Sequence, residues 1–163
     1  MKTLILYATR HGSTAEAARR IAAYFSDCDV KNIAEEHGDI AAYDCILIGS
    51  NIRMGTFDRR VRKLLLRDIA ALREKQLGFF VCCCFTENAP TYFQNNIPPQ
   101  LLEVAAATAA LGGELDRKKL HGWDKYVANM VLKADHSRGI LHTFALQNKA
   151  IADFAKKMQS AGE

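Results

Sequence analysis

The opening stretch, MKTLILYATRHGSTAEAA, constrains the fold more tightly than any other part of the chain. Leu4 to Ala8 is a short apolar run rich in β-formers, the pattern of a strand buried on both faces. Thr9 to Thr14 then packs two Thr, a Ser and a Gly into a tight turn. From Ala15 the period becomes helical, with Ala17, Ile21, Ala22 and Phe25 on one stripe. A strand passing through a hydroxyl-rich turn into a helix makes an anion site, because the first helical N–H groups lack intrahelical partners and sit at the positive end of the macrodipole. Thr9, Ser13 and Thr14 add short donors, and Gly12 allows close approach of the backbone. The turn lacks the Gly-Lys-Ser/Thr ending of a P-loop and the GxGxxG of a dinucleotide fold. It suits a monophosphate; the alternative is that its hydroxyls only cap the helix.

The same alternation of strand and helix continues along the chain, which predicts a parallel sheet with helices on both faces. A weak edge strand is expected at Asp29–Ile33, and buried strands at Asp44–Ser50 and Leu77–Phe85. Helices are expected at Phe57–Leu72, at the alanine-rich Pro98–Leu111 and at Phe144–Met158, with a last strand at Gly113–Leu120. At 163 residues and 49% hydrophobic content, without repeats or linkers, this reads as one domain over residues 1–163. Nothing has the length of a membrane span or the form of a signal peptide, so a cytoplasmic location is expected. Five cysteines without zinc-type spacing point to reduced thiols. The five histidines are scattered, so no metal site is expected. A net charge of +4 is too mild to indicate nucleic acid.

Such an architecture brings together three loops: Thr9–Thr14, then Ser50-Asn51-Ile52-Arg53-Met54-Gly55, then Cys84-Phe85-Thr86-Glu87-Asn88. T-x-x-G-S-T after a strand ending in Tyr-Ala resembles the FMN phosphate loop of flavodoxins. Gly49-Ser50-Asn51-Ile52-Arg53-Met54-Gly55 is similar to the I-G-x-x-I-R-x-G loop of the menaquinone-dependent protoporphyrinogen oxidase branch of that superfamily. Asn95-Asn96-Ile97-Pro98-Pro99-Gln100-Leu101-Leu102 and Gly112-Gly113-Glu114-Leu115, with Lys118 to Lys133, extend the resemblance across the chain. It implies a doubly wound, flavodoxin-like sheet of five parallel strands in the order 2-1-3-4-5, with an added helix after the last strand. It also implies FMN as cofactor and an oxidoreductase working with a small-molecule or quinone redox partner. An electron-carrying flavodoxin without a substrate is the alternative.

By this resemblance the FMN phosphate falls to Thr9, Arg10, His11, Gly12, Ser13 and Thr14, with Arg10 and His11 the odd members and Arg10 turned to solvent. The ring falls between Ser50, Asn51, Ile52, Arg53, Met54 and Gly55 on one side and Cys83, Cys84, Phe85 and Thr86 on the other. No Trp or Tyr follows in these loops until Tyr92, which implies a less shielded ring with room for a substrate. Arg53 near the ring would favour the anionic reduced flavin and raise its potential; the plain alternative is a surface arginine steadying its loop. Arg59-Arg60-Val61-Arg62-Lys63 with Arg67 is either a solvated helix face or a collar for carboxylates such as porphyrin propionates. Trp123, Tyr126, Val127, Met130 and Val131 recur at helical spacing among lysines, as core, as a pocket wall or as a peripheral membrane contact. Cys82 and Cys84 should face one side of their strand and Cys83 the other, as small hydrophobes rather than redox groups. Thr9 and Arg10, in place of an acidic cluster, argue against a phosphoacceptor signalling module.

Overall fold

In a computed structural model, residues 1–36, 38–113, 126, 129, 130, 133 and 145–162 are described. The apolar runs form β1 (Thr3–Ala8), β2 (Cys28–Asn32), β3 (Cys45–Arg53) and β5 (Gln76–Cys82). A fifth parallel strand, β6 (Ala105–Ala110), completes the order β2-β1-β3-β5-β6. Counted over the parallel strands alone, this is the doubly wound 2-1-3-4-5 arrangement. The remaining strand, β4 (Thr56–Phe57), folds back antiparallel on the end of β3.

Alternation along the strands sorts the core into two layers, as a period of two requires. Leu4, Leu6, Ile46, Ile48, Leu77, Phe79 and Val81 face one layer. The helices α2 (Arg59–Arg67), α3 (Ile69–Arg73), α4 (Ala89–Asn96) and α5 (Pro99–Leu102) close it with Val61, Leu64, Leu65, Leu72, Phe93 and Leu101. Ile5, Cys45, Leu47, Phe80 and Cys82 face the other, against Ala17, Ala18 and Ile21 of α1 (Ser13–Ala22) and Ile151, Phe154 and Met158 of α6 (Asn148–Ser160). Cys82 and Cys83 fall on opposite layers, as alternation predicts. Among the described residues, three polar ones are buried with this core: Thr3, Thr14 and Ser50.

Several expected elements are corrected. Residues Pro98–Leu111 are not one helix: α5 ends at Leu102, and the alanines from Ala105 form β6, paired in parallel with β5. The helical preference of alanine is weak beside the gain from completing the sheet, and small side chains suit a strand pressed on by Phe154. The expected Phe57–Leu72 helix also breaks up. Phe57 belongs to β4, Asp58 caps α2 by accepting the Arg60 N–H at 2.9 Å, and Asp68 (φ −109°, ψ 22°) separates α2 from α3. The last helix begins at Asn148 rather than Phe144, and β5 ends at Cys82. Gly113 is not in a strand, and the rest of the expected Gly113–Leu120 strand lies outside the described residues. Of the added helix, Tyr126, Asn129, Met130 and Lys133 are helical and exposed, whereas Trp123, Val127 and Val131 lie outside the described residues. Tyr126 and Met130 keep 60% and 54% of their surface in solvent, so these two are not core. Among the described residues, no helix is long and apolar enough to cross a membrane.

Candidate functional site

The carboxyl ends of β1 and β3 abut, with Ala8 paired to Ser50, so the loops that follow them are neighbours. After β1 the chain turns through Gly12, whose φ of 98° is left-handed and disfavours any side chain. Thr9 Oγ1 accepts the Gly12 N–H at 3.0 Å, which closes the turn and delivers the chain into α1. A Cβ on Gly12 would meet nothing within 4 Å, so the space over the turn is open. The helix starts without a side-chain cap. Glu16 holds Arg20 at 2.7 Å, and Arg20 Nη1 reaches Asn148 Oδ1 at 2.9 Å, fixing α1 against α6. Thr14 is fully buried, and its Oγ1 has no nitrogen or oxygen hydrogen-bond partner, though it lies within reach of the Cys82 thiol.

Beyond β3 the backbone reverses at Met54 and Gly55, both left-handed (φ 50° and 76°), and returns as β4. Two consecutive residues of positive φ between paired Arg53 and Thr56 make a two-residue hairpin turn. Ser50, buried at the root of this hairpin, accepts the Asp58 N–H at 2.9 Å and donates to the Asn51 carbonyl at 2.9 Å. Asp58 grips the Arg60 guanidinium through two contacts of 2.9 and 2.8 Å. The Arg60 hydrogen bonds hold the Asp58 carboxyl below its usual pKa range, and the carboxylate raises that of Arg60.

These groups enclose a cleft of about 520 Å³ lined by Thr9, Arg10, Asn51, Arg53, Thr56, Phe57, Asp58, Arg59 and Arg60. Four guanidinium side chains against one carboxylate give it a strong positive bias. Of the residues expected from sequence, Thr9, Arg10, Asn51 and Arg53 meet here. Ile52 packs on the core, and Met54 stands 83% exposed at the tip of the turn. Cys83 is buried, its Sγ reaching the Phe85 carbonyl at 3.6 Å. Thr86 instead lines a second cleft of about 520 Å³ with Phe93, Gln94, Thr108 and Gln147. The first and third loops thus border different clefts. Burial pushes the thiols of Cys82 and Cys83 up to about 12 and that of Cys84 up to about 11. Thiol redox chemistry needs a thiolate, and these groups withhold it at neutral pH. Among the described residues, no cluster could hold a metal ion.

The model of a flavodoxin domain matches residues 4–138, most of the chain. The chain belongs to the flavodoxin-domain family. No curated protein matches it in sequence. In structure it is similar to the FMN-bound flavodoxin of Fusobacterium nucleatum, at 13% identity, a TM-score of 0.57 and 99% coverage of both chains. An archaeal flavodoxin is similar at 13% identity and a TM-score of 0.54, with 98% of this chain and 99% of that one covered. Rubredoxin oxygen:oxidoreductase of Desulfovibrio gigas matches at 11% identity and a TM-score of 0.54. There the match takes in 98% of this chain but spans only 36% of that enzyme.

The opening turn of this flavodoxin-domain chain fits a phosphate on its own chemistry. The Thr14 hydroxyl is buried without a conventional partner at the start of α1, and an open space lies over Gly12. Asn51 Oδ1, in the arginine-lined cleft, is likewise buried with no partner. Arg59 and Arg60, one of whose expected roles is a collar for carboxylates, do line this cleft, whereas Thr56, Phe57 and Asp58 lie outside the expected set because their part in the cleft depends on β4, a strand two residues long. The Thr-Phe-Asp sequence, with Asp one residue before a basic helix, carries the signal of a cap.

Proposed function

We propose that this chain is an FMN-dependent oxidoreductase whose substrate carries carboxylates, with protoporphyrinogen as the compound the sequence resemblance suggests and a quinone as the acceptor. FMN is the cofactor of this domain. When bound it supplies the hydride- and electron-accepting chemistry, while the protein contributes binding and electrostatics. Thr9, Gly12, Ser13 and Thr14 hold its phosphate at the amino end of α1, with Thr14 Oγ1 gaining the partner it lacks. Asn51 and Arg53 would lie toward the ring, where the charge of Arg53 would favour the reduced form. Arg59 and Arg60 take the substrate carboxylates, Arg60 held in place by Asp58.

One observation carries this reading: an arginine-rich cleft opens beside the turn that is built to receive an anion. A quinone acceptor resides in a membrane, and the exposed Tyr126 and Met130 suit a peripheral contact there. The test is turnover of protoporphyrinogen IX by FMN-loaded protein with a water-soluble menaquinone analogue, followed by protoporphyrin fluorescence. Replacing Arg59 and Arg60 together by Gln should raise KM about tenfold with kcat little changed, as expected when carboxylate binding is lost. A second reading rests on the end-to-end match to a flavodoxin-sized protein: an electron carrier with no small-molecule substrate. A yellow protein that exchanges electrons rapidly with redox proteins but never turns over a porphyrinogen or quinone would favour it.

A further inference from the structure

We propose that Asn96, at the end of α4, is the positioning residue that latches the β3–β4 turn and ties it to the segment following β5, thereby setting the shape of the flavin site. The flavin half of this proposal rests on the FMN reading above; the latch itself rests on the hydrogen bonds. Asn96 Nδ2 donates to the Gly55 carbonyl at 2.9 Å and to the Tyr92 carbonyl at 2.8 Å. Its Oδ1 accepts the Phe57 N–H at 2.9 Å. Both amide protons and the carbonyl are used, and a flipped amide would set donor against donor and acceptor against acceptor. The network therefore fixes a single orientation.

Gly55 C=O and Phe57 N–H flank Thr56 on the side of β4 that has no neighbouring strand. The side-chain amide supplies what an adjacent strand would supply in a wider sheet. The turn needs such support. Met54 holds φ 50° without the freedom of glycine, and residues in such regions persist only where their surroundings over-determine them. Nothing in the apolar core holds the Met54 side chain, which is 83% exposed. The ring of Tyr92 also closes on the turn, 4.0 Å from where a Cβ on Gly55 would lie.

The latch joins the arginine-rich cleft to the loop that borders the second cleft. On one side are Arg53, Thr56 and Phe57, which line the arginine-rich cleft. On the other is α4, which starts immediately after Thr86–Asn88 and so continues the loop that leaves β5. Tyr92 and Asn96 are one turn apart on that helix, and both reach the same hairpin. A shift of α4 therefore moves Arg53 and Thr56 with it, and a loosened turn releases both. Asn96 touches neither cleft in its own right. It acts through the backbone it holds.

Two variants separate the parts of the latch. Asn96→Leu removes all three hydrogen bonds at similar volume, and Asn96→Asp keeps the acceptor for Phe57 N–H while losing both donations. Amide exchange of the apo-protein reads the latch directly. Phe57 should lose protection at least tenfold in Asn96→Leu and keep it in Asn96→Asp, with the central strand amides unchanged in both. In FMN-loaded protein, each variant should weaken FMN and riboflavin by the same factor, on the order of tenfold, and should shift the midpoint potential. Equal loss for the two flavins assigns the effect to the ring site, because riboflavin has no phosphate. Unchanged Phe57 protection in Asn96→Leu overturns the latch. Should Asn96→Leu not fold, Asn96→Asp decides, and unaltered flavin affinity and potential in it overturn the positioning role. Failure of the unaltered protein to bind FMN overturns the functional reading and with it the flavin half, and exchange at Phe57 then decides the latch alone.

Discussion

Replacing Thr14 by Val should make the apo-protein more stable and the FMN complex weaker, a pair of opposite effects that few other substitutions would produce. Thr14 is fully buried and its Oγ1 lacks a conventional partner. A buried hydroxyl without a hydrogen bond costs about 1–3 kcal/mol, and the Cys82 thiol facing it recovers part of that. Val keeps the β-branched shape, and removing a buried hydroxyl that lacks a full partner should bring a net gain of about 1 kcal/mol. For a chain of this size that corresponds to a rise in Tm of about 2–4 °C. In the complex the same hydroxyl donates to a charged phosphate oxygen, and such bonds contribute about 1.5–3 kcal/mol. FMN affinity should therefore fall about tenfold to 150-fold, while riboflavin affinity stays within about twofold. Thermal unfolding of the apo-protein and fluorescence titration with both flavins give the two numbers. An apo-protein destabilised by the substitution, with FMN binding intact, would show that Thr14 serves packing and that the phosphate lies elsewhere.

Other consequences can be checked more briefly. Asp58→Ala should cost about 1–2 kcal/mol in a urea titration at pH 7 through loss of the α2 cap, whereas Asp58→Asn, still a good cap, should cost less than half of that. The Arg60 pair adds little to these figures, because Arg60 is 42% exposed. The Asp58 carboxyl is lowered by Arg60, so its stabilisation is present above the unfolded carboxylate pKa of about 3.9 and is lost as pH falls through the folded value. Asp58→Asn should accordingly flatten the acid limb of the stability profile below about pH 4, and an unaltered limb would exclude this carboxyl as a source of it. Arg53→Ala should lower the midpoint potential of bound FMN, by removing a cation that favours the reduced form; spectroelectrochemistry showing no change would leave Arg53 as a loop residue. Cys84, half-buried with its thiol pushed up to about 11, should react with iodoacetamide at pH 8 about a hundredfold more slowly than a free thiol. Labelling at the free-thiol rate would contradict that burial.

The parts of the fold that could be read from residue pattern were those where local preference and tertiary environment agree. Leu4–Ala8, Cys45–Ile48 and Leu77–Val81 are apolar runs of β-formers, and they are the buried centre of the sheet. β6 was misread for the opposite reason. Its six residues are five alanines and a threonine, and alanine alone argues for a helix. What decides it is the free edge of β5, which pairs Leu77 with Ala105 and Val81 with Ala110, a contact invisible along the sequence. Long-range pairing overrode a preference of a few tenths of a kcal/mol per residue.

The site divides along the same line. The turn after β1 could be read because its chemistry is local: Thr9 bonds Gly12 three residues on, and the left-handed φ falls on the residue best suited to it. The hairpin after β3 could not, because its shape is imposed from a distance. Met54 and Gly55 look like the middle of a loop, yet they form a tight turn held by Asn96 from 41 residues away. That hairpin brings Thr56 to Arg60 round to face Thr9 and Arg10, and so converts a basic helix start into one wall of a cleft. The positive charge of Arg59 and Arg60 was visible in the sequence as composition. Only the hairpin gives it a direction, toward the same opening as the anion turn, and it is this convergence that turns a solvated cationic face into a candidate recognition surface for carboxylates.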